Sequence, residues 1–132
     1  MLEAKHVDPD RINRLQEALE TTTEAAEEPE EEKKIRCRAC RHLITTTDHI
    51  IAIDGNHRHT FANPAGIVFD IGCFSAADGC ANRGAPTSEF SWFAGYSWRF
   101  SLCSRCHNHM GWFYSGEGKA GFFGLILAHL IQ

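Results

Sequence analysis

No apolar run in these 132 residues reaches the roughly 18 needed to cross a bilayer as a helix. The stretch 122–131 is apolar but too short, so it reads as core. The first thirty residues are charged and carry no apolar signal-peptide core. A cytoplasmic protein is therefore expected, and its thiols should stay reduced. Basic excess is also missing. Residues 1–34 hold eleven acids and five bases, whereas the rest of the chain holds six acids and eight bases. The folded part is close to neutral, which speaks against nucleic acid as a partner. No membrane partner is expected either. Helical periodicity is absent after residue 35, where glycine and aromatics are frequent. That combination favours strands and turns.

The acidity belongs to residues 1–34. Asp10 could cap a short helix bearing Ile12, Leu15 and Leu19. The run Glu27-Glu28-Pro29-Glu30-Glu31-Glu32 cannot bury itself. The reading is an acidic tail, disordered or transiently helical, joined to a folded domain over residues 35–132. A docking helix is the alternative for the tail.

In the domain, Thr45 to Ile53 reads as a strand and Asp54-Gly55-Asn56 as a turn. Thr60-Phe61 is a short strand, and Asn63-Pro64-Ala65-Gly66 a second turn. Ile67, Phe69 and Ile71 alternate with Val68, Asp70 and Gly72 in a third strand. Residues 76–86 are rich in Gly, Ala and Asn and read as a long loop. Glu89 to Phe93 and Ser97 to Leu102 read as strands about Ala94-Gly95-Tyr96. Gly111 to Tyr114 is another strand, and 122–131 a closing strand or short helix. The sum is an all-β meander or sandwich-like fold.

Two Cys-x-x-Cys knuckles stand out, Cys37 with Cys40 and Cys103 with Cys106. Zinc takes four thiolates tetrahedrally, and two knuckles supply them without strain. The intervening stretch, residues 41–102, is far longer than the about 15 to 20 residues of a compact ribbon. The metal should therefore tie together the ends of a whole β domain. One structural Zn2+ is expected, with no position left for a catalytic water. Cys73 reads as a small buried hydrophobe. His107 and His109 sit beside Cys106, but four thiols already close the site.

The stretch 91–114 holds all three tryptophans, Trp92, Trp98 and Trp112, around the second knuckle. Three indoles could clamp a flat, partly apolar ring. Spacing alone equally allows plain core. The run Glu89-Phe90-Ser91-Trp92-Phe93-Ala94-Gly95-Tyr96-Ser97-Trp98 is followed by Cys103-x-x-Cys106 and by His109-Met110-Gly111-Trp112. In this it closely resembles the thalidomide-binding domain of the cereblon family, called CULT. Cys37-x-x-Cys40, Phe61-x-Asn63-Pro64-x-Gly66 and Phe122-Phe123-Gly124-Leu125 match in the same order. The likeness runs from about Ile35 to the C-terminus, most closely to bacterial single-domain members.

The resemblance implies a β-tent, two antiparallel sheets pinned by zinc. It implies a cage of Trp92, Trp98 and Trp112, floored by Tyr114, for cyclic imides such as glutarimide, succinimide and thalidomide-type compounds, or for related rings such as uracil. The backbone carbonyl of Phe90 would accept from the imide N–H, and the Trp92 N–H would donate to an imide carbonyl. Ser91 lies between them in the ligand-binding run, and Asn63 and Pro64 would line the mouth. Protein termini carrying a cyclic imide are a further partner class. Eukaryotic relatives have a histidine where this chain has Phe90, so weaker binding is expected. The family's Lon-like and adaptor-docking parts have no counterpart in the sequence, so a ligase receptor is not expected of this chain by itself. The expected function is ligand binding, without catalysis. The alternatives are an enzyme on a related zinc β fold, resembling a methionine sulfoxide reductase, and a zinc domain for protein interaction.

Overall fold

Alternating burial is the signature of the first strand: Ile35 and Cys37 turn inward and their neighbours outward along Lys34–Cys37 (β1). The computed structural model describes residues 29–132, so the proposed tail helix lies outside the described residues. Leu43–Thr46 (β2) and Leu130–Ile131 (β9) flank β1 in a three-stranded antiparallel sheet ordered β2-β1-β9. The remaining strands are Arg58–Ala62 (β3), Val68–Phe74 (β4), Cys80–Thr87 (β5), Ser97–Cys103 (β6), His109–Gly116 (β7) and Lys119–Ile126 (β8). They form a six-stranded antiparallel sheet ordered β3-β4-β8-β7-β6-β5. Among the described residues no α-helix forms. Three short 3-10 turns, Glu31–Lys33, Thr47–His49 and Leu127–His129, are the only helical pieces there. The described part of the chain is all-β, as its composition predicts. No described helix is long and apolar enough to cross a membrane.

Two apolar clusters divide the interior. One joins both sheets through Ile35, Cys37, Ile44, Phe74, Cys103, Met110, Leu125 and Leu130. The other is aromatic, with Phe93, Trp112, Tyr114 and Phe122 packed with Ile71, Cys73 and Ile126. β7 and β8 pass very close to one another. A Cβ on Gly111 would stand 2.1 Å from the Gly124 carbonyl oxygen, and Gly111 also holds φ +153°. Only glycine meets both demands.

Four segments depart from the sequence expectation. Residues 76–86 are not one long loop, because β5 begins at Cys80 and pairs with β6. β5 is the sheet edge, where Pro86 lacks no ladder bond. Its pairing is irregular between Arg83 and Thr87, around Gly84 at φ +86°. Glu89 to Phe93 is not a strand, since Phe90 holds φ +58°, outside the β region. The strand expected over Thr45 to Ile53 stops at Thr46, and Ile50 makes only an isolated bridge to Phe74. Segment 122–131 is strand, 3-10 turn and strand in succession.

Candidate functional site

The two knuckles are built alike. Cys37 ends β1 and Cys103 ends β6. In the first, the Arg41 N–H donates to the Cys37 carbonyl (2.8 Å) and the Cys37 N–H to the His42 carbonyl (2.8 Å). In the second, the His107 N–H donates to the Cys103 carbonyl (2.8 Å) and the Cys103 N–H to the Asn108 carbonyl (2.8 Å). Arg41 and His107, four residues after the first cysteine of each pair, hold φ +69° and +67°. The chain thus makes the same turn twice and aims two thiols inward each time.

The four sulfur atoms all lie within 4.8 Å of one another. Cys37 Sγ is 3.7 Å from Cys106 Sγ, and Cys40 Sγ is 3.6 Å from Cys103 Sγ. A tetrahedral metal with bonds of about 2.3 Å would separate its thiolates by about 3.8 Å. The set therefore fits a metal ion, and all six cysteines are free of disulfides. His107 is exposed, and His109 turns elsewhere.

The second knuckle is also the connection between β6 and β7. Those two strands pair Trp98 with Tyr114 and Phe100 with Trp112. Residues opposite one another share a face, so all four rings stand on one side of the sheet. Trp92 reaches the same place from the 88–96 loop, not from a strand facing Trp98. Its ring meets Trp112 edge-on at 4.8 Å and stacks on Phe61 at 5.0 Å. Two carbonyls anchor indoles: Trp92 Nε1–H donates to Ala62 (3.2 Å) and Trp98 Nε1–H to Glu89 (2.7 Å).

Between these rings lies a cavity of about 400 Å3, lined by Asn63, Pro64, Phe90, Trp92, Trp98, Trp112 and Tyr114 together with Phe69, Phe100 and His109. Ser91 does not line it. Its hydroxyl donates to the Phe93 carbonyl (3.1 Å) and shapes the loop. Asn63 closes its turn, its Oδ1 accepting from the Ile67 N–H (2.9 Å). Sequence reasoning left out Phe69, Phe100 and His109. Phe100 follows Trp98 by two in a strand, which was the available signal. Phe69 meets Trp112 edge-on at 5.2 Å. His109 stands at 90° to Trp112, 4.9 Å away, and its Nε2–H donates to the Gly111 carbonyl (2.9 Å). Burial holds its pKa below the usual imidazole value, which keeps the ring neutral.

No side chain lining this cavity carries a formal charge in that state. The backbone at its rim adds polar capacity. Among the described residues, neither the Phe90 carbonyl nor the Trp92 N–H has an intramolecular partner. Phe90 itself is 71% exposed. The arrangement can hold a flat neutral ring between indoles and offer it an acceptor and a donor from the backbone.

No family model matches the chain. Curated relatives do. It is 31% identical to protein cereblon of Gallus gallus over 101 residues, which is 72% of this chain and 23% of that protein. Protein cereblon of Drosophila virilis is 27% identical over 106 residues, 78% of this chain and 16% of the relative. Protein cereblon of Drosophila melanogaster is 32% identical over 81 residues, 58% and 14% respectively. The chain spans less than a quarter of the length of these relatives.

Proposed function

We propose that this chain, which carries a cereblon-type domain, binds small cyclic imides in the aromatic cavity. Trp92, Trp98 and Trp112 form the walls and Tyr114 the floor, with Asn63 and Pro64 at the mouth. The observation that carries the reading is the unpaired Phe90 carbonyl and Trp92 N–H beside a neutral aromatic cavity. An imide presents N–H next to C=O, the complement of that pair. Glutarimide, succinimide, thalidomide-type rings and uracil all carry it, and so does a protein terminus closed into an imide.

The metal we assign to the four thiolates is zinc, which favours this soft tetrahedral set. When bound it would supply a structural tie between β1 and the β6–β7 connection. Catalysis is not part of the proposal. The thiols outside the metal set are poor nucleophiles: burial pushes Cys73 and Cys80 up to about 11. A reductase-like reaction needs an exposed, activated thiol, so that alternative has less support. Free thiols throughout suit a reducing compartment such as the cytoplasm.

Ligand size bounds the affinity. A bare glutarimide has about eight non-hydrogen atoms, and micromolar binding, about −8 kcal/mol, is already near the ceiling for so small a ligand. Titration of glutarimide or uracil, followed by tryptophan fluorescence, should give micromolar or weaker binding. A flat signal at millimolar ligand would sink the proposal.

A further inference from the structure

The third indole differs from the other two. Trp92 and Trp98 each spend their N–H on a backbone carbonyl. Among the described residues the Trp112 N–H has no such partner, its recorded interactions being ring contacts with Phe69, Trp92 and His109. Trp112 is nevertheless only 8% exposed. A donor buried without a partner carries the full penalty of its lost hydration. Native interiors avoid that cost, and buried tryptophans normally find an acceptor.

The nitrogen is not sealed off, however. The described side-chain atoms cut off from solvent without a partner are Asn82 Oδ1 and Ser101 Oγ. Trp112 Nε1 is not among them, so it keeps accessible surface. Trp112 lines the cavity and is otherwise buried. The remaining surface of its donor is therefore cavity surface. Phe69 and Trp92 present only rings to it, and it meets the His109 ring in an edge contact without a hydrogen bond.

We infer that the Trp112 indole N–H is a specificity-determining donor, aimed into the cavity to read an acceptor on the bound ring. This rests on the cage reading and deepens it. The cavity then offers donor, acceptor, donor: Trp92 N–H, Phe90 carbonyl, Trp112 Nε1–H. A ring with carbonyls on both sides of its N–H satisfies all three. A lactam with a single carbonyl leaves one donor unpaired. Within the proposed ligand class, Trp112 is thus the group that makes the second carbonyl count.

The test compares glutarimide with δ-valerolactam, the same ring less one carbonyl. Indole N–H resonances are followed in 15N-labelled protein and assigned by Trp92→Phe, Trp98→Phe and Trp112→Phe. Any two of these variants suffice if one fails to fold. In the free wild type, the Trp112 N–H should exchange with water faster than the other two. Glutarimide should protect it, whereas valerolactam should bind and leave it exchanging. Trp112→Phe, which keeps a ring but no donor, should weaken glutarimide roughly three- to tenfold more than valerolactam. Protection by neither ligand in a wild type that binds both overturns the inference, as does an equal loss for both in Trp112→Phe. The latter is what a purely structural wall would give. A wild type that binds neither ligand at millimolar concentration overturns the cage reading as well, which separates the two failures.

Discussion

Phe90 occupies a backbone region that a bulky residue enters at a cost of order 1–3 kcal/mol, with φ +58°. Its ring is largely exposed and recovers little of this by burial. What the conformation achieves is the turn that leaves its carbonyl unpaired beside the cavity. Phe90→Gly should therefore keep or raise the melting temperature and retain glutarimide binding, since only backbone is used. Phe90→His, which adds a side-chain donor beside the cavity, should tighten glutarimide about two- to tenfold by one added hydrogen bond. Isothermal titration reads both. Cys73 gives a pH prediction. Burial raises its folded pKa to about 11, above the ordinary thiol value of 9.0. As pH climbs from 9 toward 11 the unfolded thiol ionises first, so stability present below pH 9 is lost across that window. Urea unfolding at several alkaline pH values should show the decline, and Cys73→Ala should make it shallower, with Cys80, raised likewise, supplying the remainder. At this scale the sequence was informative where chemistry is carried by residue type. The four thiols and three tryptophans could be read directly. His109 could not, because its place at the cavity depends on which way a ring turns on β7.

β7 links the knuckle to the cavity, and its glycine shows how tightly it is placed. Gly111→Ala would drive a methyl into the Gly124 carbonyl from a backbone that disfavours it. Overpacking of this kind costs about 1–3 kcal/mol or more. The melting temperature should fall and glutarimide affinity should drop with it, because Trp112 is the next residue. The knuckle turns make a complementary prediction. Arg41 and His107 both sit at positive φ, where glycine is comfortable. His107→Gly should keep one metal per chain by elemental analysis, whereas a loss of metal would reveal the histidine as a ligand. β4 was legible from its alternation, and most of β6 as a short strand. β5 was not, because its Gly, Pro and Asn read as loop while an edge position tolerates them. Glu89 to Phe93 was also misread, since its apolar residues fit a strand and only the backbone at Phe90 forbids one.

The whole molecule closes on itself twice. The four thiols join residue 37 to residue 106, and β1 pairs with β9, Arg36 opposite Ile131 and Cys37 opposite Leu130. The loop-closure cost grows only as the logarithm of length, so a metal bound by about 10 kcal/mol can offset it. Chelation, or Cys103→Ser, should therefore lower the melting temperature steeply and abolish glutarimide binding together with the fold. The all-β class was legible from strand spacing and the two sheets from the family resemblance, but the pairing of first strand with last was not. Pairing across so many residues leaves no local mark in either segment. It also sets an order of events during synthesis, when the chain leaves the ribosome N-terminus first at about 5–20 residues per second. Once residue 106 has emerged, all four thiols are available and the metal can be captured. The small sheet must still wait for residue 131. A growing chain can thus carry a loaded metal site while β1 still has one side unpaired, and β9 is the last strand to take its place.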